Sequence, residues 1–390
     1  MTRADVLIVG AGIAGLSAAA LLARHGKVVV LEGEDSLGRH SSGRSVAFSH
    51  YGIGNAAVRG LTAWSRAFFE TPPQGFCPTP LTRLFPSLYI ATEGSRAALD
   101  ALAQDMAGLT GAARRIGAAG IAALCPALRT GGDGAVAGLL DPTGLKLDAD
   151  ALLQSFARAV GSAGGAVLTG RRVERIGRER DGWRVESAAG ESWSAPVLVD
   201  AAGAWADRVA SLAGVGPIGL LPKRRTIVVV DPPAGVDIRA WPFVHSIAGD
   251  FYMLAEAGRL LVSPVDEVAD DPCDAQPEEY DIALAADRLE HYTDLKVGRI
   301  AHRWAGLRSF VADRTPTAGF DPRAPGFFWL AGQGGYGLQT APAMAAIVES
   351  LVTGAPWPHG LAALGVLPEQ VRPERLIDAP VDAESRHAES

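Results

Sequence analysis

Cysteine and long apolar runs are scarce in this 390-residue sequence, and each scarcity excludes a class of protein. The cysteines, Cys77, Cys125 and Cys273, are far apart and never in C-x-x-C spacing, which argues against a disulfide framework and against a zinc site. No run of about 18 apolar residues is present, so no membrane-spanning segment is expected. A reduced cytoplasmic setting is therefore predicted.

An excess of basic residues is also lacking. The sequence has 36 lysine and arginine residues against 43 aspartate and glutamate residues, which gives a formal net charge of -7. Proteins that bind nucleic acid need a basic surface for phosphate contacts, so nucleic acid is not an expected partner. The chain is about two to three times as long as a typical single domain, which predicts a buried core divided between two domains.

The N-terminal segment predicts a strand, a glycine turn, a helix and a second strand. Val6–Val9 is a short apolar run, Ile13–His25 has helical character, and Val28–Leu31 resumes as a buried strand. This order is typical of a βαβ unit with two parallel strands.

The turn after the first strand has the G-x-G-x-x-G spacing of a dinucleotide site and consists of Gly10, Ala11, Gly12, Ile13, Ala14 and Gly15. The first glycine allows a tight turn, the second lets the backbone approach a pyrophosphate, and the third lets helix and strand pack closely. Free N–H groups at the helix N-terminus favour the anion, and Glu32 at the end of the second strand supplies a carboxylate for a ribose diol. An ordinary glycine turn is the alternative, and the flanking strand, helix and Glu32 together favour the dinucleotide.

A second glycine-rich turn, Gly332–Gly337, lies between a predicted strand and a predicted helix near the end of the chain. It also matches G-x-G-x-x-G, but no strand ending in an acidic residue follows, so we interpret it as part of the same site. Its helix N-terminus is predicted to face the redox ring of a flavin and to stabilise the negative charge that builds at N1–C2=O on reduction. A turn that serves only packing is the alternative.

The pattern of the remaining segments predicts an α/β fold with two domains and a polar, loosely held tail. A Rossmann-like, doubly wound FAD-binding domain is expected to be built from the discontinuous segments 1–55, 146–216 and 315–367. An α+β substrate domain with a mixed or antiparallel sheet is expected from 56–145 and 217–314, and the tail from 368–390.

Long stretches of the chain resemble the FAD-dependent D-amino-acid oxidase superfamily, and within it the bacterial D-arginine dehydrogenase type most closely. The resemblance covers almost the whole chain and is carried by His40–Ser45 (HSSGRS), Leu61–Glu70 (LTAWSRAFFE), Asp141–Gly144 (DPTG), Val197–Trp205 (VLVDAAGAW), Leu220–Arg225 (LLPKRR), Trp304–Asp313 (WAGLRSFVAD) and Gly332–Thr340 (GQGGYGLQT). It implies FAD as the cofactor. Related sarcosine-oxidase types attach the flavin through a cysteine near the late glycine segment, where this chain has none, so the FAD is expected to be non-covalent.

The resemblance also implies which residues lie along the FAD. It places Glu32 on the adenosine ribose and the backbone of Val173 on the adenine. The residues expected beside the pyrophosphate, along the dinucleotide or around the isoalloxazine ring are Ser41, Ser42, Ser45, Ala202, Gly203, Gly335, Tyr336, Gly337, Leu338, Gln339 and Thr340.

Two arginines resemble the positions that fix the substrate carboxylate in this family, namely Arg308 and Arg225. A guanidinium group suits this role because its planar fork binds both carboxylate oxygens and stays charged. Tyr252 is expected to add a phenol donor, and Arg224 is expected on the opposite face of the strand from Arg225. For each arginine the alternative is a surface or interdomain ion pair.

A general base is less evident. An unperturbed imidazole has a pKa of about 6.5, and His50 lies in a Ser/Gly-rich segment, which makes it a candidate base, with a structural role as the alternative. A protein base is dispensable if the substrate amine loses its proton to solvent before hydride transfer, because positioning then suffices.

The expected side-chain pocket departs from that of the arginine-preferring relatives. Ser87 aligns with their pocket carboxylate, Phe48 and Ile53 align with their lid histidine and tyrosine, and Gly334 is expected in the same pocket. This pocket offers no anion to a guanidinium group, and burial of an unpaired cation is costly. D-Arginine and D-lysine are therefore expected to be poor substrates, and an apolar or small uncharged side chain is predicted. An insertion around residues 46–54 is the alternative, with Tyr51 or His50 turned inward.

The sequence thus predicts an FAD-dependent D-amino-acid dehydrogenase whose imino acid product is hydrolysed to a 2-oxo acid and ammonia. A quinone or an electron-transfer protein is the expected electron acceptor, and the expected location is cytoplasmic, either free or peripheral at the inner membrane. One alternative is a flavin oxidase of N-methyl or cyclic amino acids or a 2-hydroxy-acid dehydrogenase, since the same arginines hold any 2-substituted carboxylate. Another is a catalytically silent flavin-binding module.

Overall fold

A six-stranded sheet forms the centre of the first half of the structure, a computed structural model that describes residues 2–377. Its strands, in spatial order, are Ala166–Leu168, Val28–Leu31, Val6–Val9, Val197–Asp200, Phe327–Ala331 and Thr317–Phe320. The first five are parallel and the sixth is antiparallel to its neighbour. The predicted βαβ unit is present, with its helix at Ile13–Leu22.

Three strands of this sheet, Val6–Val9, Val28–Leu31 and Phe327–Ala331, are buried on both faces, which is why they are continuous apolar runs in the sequence. Alternation sends Ile8 to one face, which the helices Ile13–Leu22, Ala149–Ser162 and Gly337–Thr353 cover. Leu7 points to the other face, against a second sheet and the helix Ala206–Leu212. That second sheet has four strands, in the order Thr2–Arg3, Ser192–Ala195, Gly182–Ser187 and Val173–Glu179.

A nine-stranded sheet forms the other half of the molecule. Its strands, in spatial order, are Val268–Ala269, Leu221–Val230, Arg259–Ser263, Tyr252–Glu256, Phe243–Ser246, Ser87–Ala91, Ala137–Asp141 and Arg114–Gly117, with Ile300–Phe310 paired to Leu221–Val230. The only parallel pair in this sheet, within the described residues, joins Phe243–Ser246 to Ser87–Ala91. A three-stranded sheet adds Phe48–Ser49, Leu145–Leu147 and Thr82–Leu84.

The remaining helices lie outside these sheets. They are Ala56–Glu70, Arg96–Ala107, Ala118–Leu124, Glu279–Tyr292, Pro368–Val371 and Glu374–Ile377, with 3-10 turns at Glu93–Ser95, Gly203–Trp205 and Ala362–Leu364. The predicted α/β fold class, with a largely parallel sheet and a separate mixed sheet, is confirmed. The exact division of the chain into two domains stays a prediction.

The prediction of a loosely held tail from residue 368 is wrong for the part of it that the structure describes. Residues 368–377 form two short helices, and Val371 is fully buried in the main core. Arg375 donates hydrogen bonds to the Asp313 carboxylate and to the carbonyl of Thr315. Residues 378–390 lie outside the described residues.

Four parallel strands of the six-stranded sheet end at the same edge, and the residues that follow them are Gly10, Glu32, Ala201 and Gly332. In open α/β sheets, ligands bind outside the carboxyl ends of the strands.

Among the helices of residues 2–377, none combines the length and apolar character needed to cross a lipid bilayer.

Candidate active site

A cavity of about 1190 Å³ runs from the carboxyl edge of the six-stranded sheet to the face of the nine-stranded sheet. Gly10 and Glu32 line one end, and Arg308 and Tyr252 line the other. Of the predicted cofactor residues, the wall includes Gly10, Gly12, Ile13, Ala14, Glu32, Ser41, Ser42, Ser45, Val173, Ala202, Gly203, Gly335, Tyr336, Gly337, Leu338 and Gln339. Gly15 and Thr340 lie behind the wall.

The first glycine turn is held by backbone contacts that exclude other side chains. Gly10 has φ +104°, and a Cβ atom there would lie 2.5 Å from the carbonyl oxygen of Ala201. A Cβ atom on Gly15 would lie 2.0 Å from the carbonyl oxygen of Gly10, which explains why this glycine packs behind the cavity rather than lining it. At Gly12 the nearest atom to such a Cβ is Ser42 Oγ, at 3.4 Å, so this glycine faces open space in the cavity. The turn therefore has the shape of a phosphate cradle.

Glu32 is fixed by two backbone donors. Its Oε2 accepts a hydrogen bond from Ala11 N at 2.7 Å, and its Oε1 accepts one from Glu34 N at 2.9 Å. The carboxylate is thus held at the end of its strand beside the glycine turn, next to Val173 on the cavity wall. This position fits a ribose diol, which donates two hydrogen bonds to one carboxylate.

The second glycine turn packs directly against Arg308. A Cβ atom on Gly335 would lie 1.9 Å from Arg308 Nη2, so a glycine is needed for the guanidinium group to lie there. Gly334 N donates to the carbonyl of Ser309 at 2.8 Å and ties the turn to the strand Ile300–Phe310. The helix that begins at Gly337 directs its N-terminus at the cavity, while Thr340 is buried and donates from Oγ1 to the carbonyl of Tyr336. The phosphate cradle, the ribose carboxylate and this helix N-terminus together fit an extended flavin dinucleotide.

The strand pairing places three cations on one face of the nine-stranded sheet, and two of them, Arg225 and Arg308, line the other end of the cavity. Lys223 and Arg225 are two residues apart on the strand Leu221–Val230, and Arg308 is directly opposite Lys223 on the neighbouring strand. Like charges opposite each other are destabilising unless an anion compensates them. The anion here is the carboxylate of Glu267, in the segment that leads into the strand Val268–Ala269.

Glu267 is shared unequally among its cations. Its Oε1 lies 3.3 Å from Arg308 Nη1 and 3.4 Å from Arg225 Nη2, whereas Arg314 binds both oxygens, at 2.8 and 3.0 Å. Burial acts to raise the pKa of Glu267, but the hydrogen bonds from Arg314 and the charges of Arg308, Arg314 and Arg225 outweigh it and lower the pKa to about 2. Glu267 is therefore an anion throughout the physiological range.

The predicted orientation of the neighbouring arginines agrees with the structure. Arg225 turns toward the cavity, where its Nε donates to the carbonyl of Asp266 at 2.9 Å. Arg224 points to the opposite face and pairs with the buried Asp281 and with Asp270. Burial, together with the charge of Arg225, lowers the pKa of Arg308 to about 10, so Arg308 is a desolvated cation with an incomplete set of acceptors.

An aromatic wall lies between the arginines and His50. Phe243 is in ring contact with Phe48, Tyr252 and His245, at centroid distances of 4.6, 5.3 and 3.9 Å. Burial raises the pKa of Tyr252 and keeps its phenol protonated as a donor. The predicted pocket residues Phe48, Ile53 and Gly334 also line the cavity.

Ser87, which the sequence places in the side-chain pocket, does not line the cavity. It is fully buried at the start of the strand Ser87–Ala91, between its neighbours Phe243 and Asp141. Its Oγ lies behind Gly144, where a Cβ atom would approach it to 2.9 Å. The pocket is lined instead by Tyr89, two residues along the same strand, which alternation directs to the same face.

His50 is held as a neutral imidazole. Its Nδ1 lies 2.6 Å from Tyr89 Oη, and Tyr89 Oη in turn accepts a hydrogen bond from Gly52 N at 3.2 Å. This pairing needs a glycine at 52, because a Cβ atom there would lie 2.2 Å from the Tyr89 ring. Burial lowers the pKa of His50 to about 3 and the pKa of His245 well below its ordinary value. A group of such low basicity is a poor general base at neutral pH.

This low pKa makes the stability of the fold depend on pH. The unfolded chain takes up a proton on His50 below about pH 6.5, whereas the folded chain does so only near the pKa of about 3, so the free energy of unfolding falls as the pH falls. Between about pH 7.5 and about pH 5, His50 alone is expected to lower it by about 2 kcal/mol. Urea unfolding across this range should show a weaker pH dependence for His50→Gln. The matched control is the exposed His302→Gln, which should keep the full dependence; equal slopes in both variants would contradict the assignment.

Sequence reasoning missed several residues of the cavity wall. They are Tyr89, Phe243, His245, Glu267 and Arg314. Phe243 and His245 sit at alternate positions of one strand, a signal that they share a face but not which face is lined by the cavity. Glu267 gave no local signal, since it is 41 residues from Arg308 in the chain.

The chain is similar to known proteins in sequence and in fold. The family model described as DAO, FAD dependent oxidoreductase, matches residues 5–351. FAD-dependent oxidoreductase domain-containing protein 1 of Bos taurus is 28% identical over 211 residues, which are 49% of this chain and 42% of that protein. The chain thus matches less than half of the length of this curated relative.

Solved structures share the fold over nearly the whole chain. L-proline dehydrogenase from P. horikoshii superposes with a TM-score of 0.82 at 20% identity, covering 96% of this chain and 98% of that one. Glycine oxidase from Geobacillus kaustophilus superposes with a TM-score of 0.79 at 20% identity, covering 94% and 99%.

Proposed function

The chain belongs to the DAO family of FAD-dependent oxidoreductases, and from that premise we propose that it oxidises a D-amino acid with an uncharged side chain to the imino acid. The observation that carries this proposal is the pairing, in one cavity, of Arg308 and Arg225 with an aromatic wall. The arginines suit a carboxylate, and the wall suits an apolar side chain. Proline and glycine are the amino acids that appear in the names of the two solved neighbours.

The chain's own residues supply positioning rather than acid–base chemistry. Arg308 and Arg225 bind the substrate carboxylate, and the phenol of Tyr252 donates to one of its oxygens. Solvent takes the proton of the substrate ammonium, because His50 is too weak a base to do so. Bound FAD supplies the acceptor for the hydride that leaves Cα as the C=N bond forms, and water then hydrolyses the imino acid to a 2-oxo acid and ammonia.

The uncharged side chain follows from the charges around the aromatic wall. His50 and His245 are neutral there, since burial lowers both pKa values. Glu267 is the carboxylate on the cavity wall that contacts Arg308 and Arg225, and it is already engaged by Arg314. A guanidinium or ammonium side chain would be desolvated without a partner, so D-arginine and D-lysine are expected to be poor substrates. The chain is thereby proposed to share the architecture of the D-arginine dehydrogenase type without its preference for arginine.

Several further properties belong to the same proposal. The FAD is held non-covalently: the cavity wall within residues 2–377 includes none of Cys77, Cys125 and Cys273. Residues 1–55, 146–216 and 315–367 form the FAD-binding domain, and residues 56–145 and 217–314 form the substrate domain. The enzyme is cytoplasmic, and a quinone or an electron-transfer protein reoxidises it.

The experiment that tests the proposal is anaerobic bleaching of the bound flavin by a panel of compounds. D-Leucine, D-methionine and D-phenylalanine are expected to bleach it faster than D-arginine and D-lysine, and faster than the L-enantiomers. Tyr252→Phe is expected to raise KM about tenfold with little change in kcat, since it removes one hydrogen bond to a charged group. Preference for D-arginine would contradict the pocket argument. Bleaching only by N-methyl or cyclic amino acids or by 2-hydroxy acids would favour the amine or hydroxy-acid reaction, and no bleaching at all would favour a binding module.

A further inference from the structure

Glu267 occupies the place where a substrate carboxylate is expected. Its Oε1 contacts both Arg308 and Arg225, and its side chain lines the same cavity. The two contacts are long and share one oxygen, which leaves most donors of both guanidinium groups open to another anion. The contact with Arg314 is of a different kind, because both Glu267 oxygens are bound there.

The cations around Glu267 outnumber it. Lys223, Arg225, Arg308 and Arg314 all lie within 3.5 Å of one of its oxygens. The adjacent Asp266, whose Oδ1 lies 3.8 Å from Arg225 Nε, does not remove this excess, because four cations then face two carboxylates. The positive charge that remains can therefore be compensated by one more anion beside Glu267.

The two loops that carry the Glu267–Arg314 pair are strained. Val265, two residues before Glu267, has φ +57°, and Arg314 itself has φ +59°. A left-handed backbone is unusual for any residue with a Cβ atom, and most of all for a β-branched one. Such conformations persist where the surrounding contacts hold them, and they concentrate at ligand-binding sites. Both residues line the cavity.

We propose that Glu267 is a displaceable internal counter-ion: it releases Arg308 and Arg225 to the substrate carboxylate, stays paired with Arg314, and so limits the site to substrates with a single carboxylate. This inference rests on the proposed function, in which Arg308 and Arg225 bind the substrate carboxylate. A second carboxylate on the substrate would lie close to the carboxylate of Glu267. The nearby cations Arg314 and Lys223 are already paired with Glu267, so the two like charges would repel each other. Glu267 is thus a specificity-determining residue that acts through the arginines.

Equilibrium binding of butyrate and succinate to the FAD-loaded protein tests the proposal. The two acids have the same chain length and differ by one carboxylate, and neither has an α-amine to be oxidised. Binding is read from the change in the absorption spectrum of the flavin, at fixed ionic strength. The unchanged protein is expected to bind butyrate more tightly than succinate. In Glu267→Gln the Kd of butyrate should fall about tenfold and that of succinate about a hundredfold, because an internal competitor and a like charge are both removed.

Two further variants keep the outcome decisive. Glu267→Asp keeps the charge but moves it away from Arg308. The Kd of butyrate should therefore fall by a few-fold, and the Kd of succinate should fall by no more than that. This variant provides the test if Glu267→Gln does not fold. Glu256→Gln is the matched control, since it removes the same charge beside Arg83 and Lys146, outside the cavity wall, and should leave both Kd values unchanged.

The contrary results distinguish a failure of this inference from a failure of the proposed function. The inference is overturned if Glu267→Gln binds butyrate no more tightly than the unchanged protein does, or if the Kd of succinate falls by no more than that of butyrate. Glu267 then has only a structural role in the site. In that case butyrate binding that is lost in Arg308→Met still supports the proposed function. If the unchanged protein binds neither acid, the proposed function and the inference fall together.

Discussion

Replacing Arg308 with methionine is expected to lower kcat/KM for the best D-amino acid by about 10³-fold, while the FAD content stays that of the unchanged protein. Arg308 is largely buried, and burial together with the charge of Arg225 already lowers its pKa. A desolvated guanidinium group in this position binds a carboxylate strongly, because little hydration remains to be lost. Methionine fills a similar volume without donors, so the substrate carboxylate would enter the cavity unpaired.

Anaerobic flavin reduction, followed at several substrate concentrations, measures this effect. Arg225→Met should lower kcat/KM less than Arg308→Met does, since Arg225 Nε already donates a hydrogen bond to the carbonyl of Asp266. Arg303→Met is the matched control, because Arg303 is on the same strand as Arg308 but its side chain is half exposed to solvent. A loss below about tenfold for Arg308→Met would show that the carboxylate is bound elsewhere.

Gly10→Ala is expected to lower the free energy of unfolding of the FAD-free protein by about 3 kcal/mol or more, and to abolish FAD binding. An alanine at φ +104° has a strained backbone even where its side chain has room. Here its Cβ atom would also lie 2.5 Å from the backbone carbonyl oxygen of Ala201. Neither Gly10 nor Ala201 is free to shift, because the residues before them, Val9 and Asp200, are paired within the six-stranded sheet. The loss therefore appears before any cofactor is added.

Gly12→Ala is the matched control, two residues along the same turn. Gly12 has φ -77°, which alanine adopts without strain, and its Cβ atom would meet only Ser42 Oγ at ordinary contact distance. This variant should unfold within about 1 kcal/mol of the unchanged protein but bind FAD about tenfold more weakly, since the added methyl group lies in the phosphate cradle. Urea unfolding of the FAD-free proteins and FAD titration measure the two effects. Equal stability of the two variants would contradict the distinction.

The N-terminal βαβ unit could be predicted closely, and its one error is informative. The sequence pattern predicts a helix up to His25, but the helix ends at Leu22. Arg24 N and His25 N bond to carbonyls only three residues back, which is the tighter geometry common at helix ends. A terminal turn of this kind depends on contacts with the rest of the chain, such as the approach of Asp5 to Gly26.

The pocket residues show the opposite case. The sequence predicts that Arg224 and Arg225 lie on opposite faces of their strand, because this depends only on the two-residue period of a strand. The family resemblance predicts Ser87 in the pocket, whereas the register of its strand puts it between Phe243 and Asp141, outside the cavity wall. Glu267 could not be found at all, since it meets Arg308 only when strands distant in sequence take one particular register.

What the sequence determined by itself is the dinucleotide turn, because six consecutive residues set both the backbone angles and the close approach that a phosphate cradle requires. The tertiary structure alone decided the charge balance of the substrate end, where Arg225, Glu267, Arg308 and Arg314 converge from separate strands and loops. Ion pairing depends on distances of a few ångströms, and only the register of the strands and the path of the strained loops bring these groups within that range.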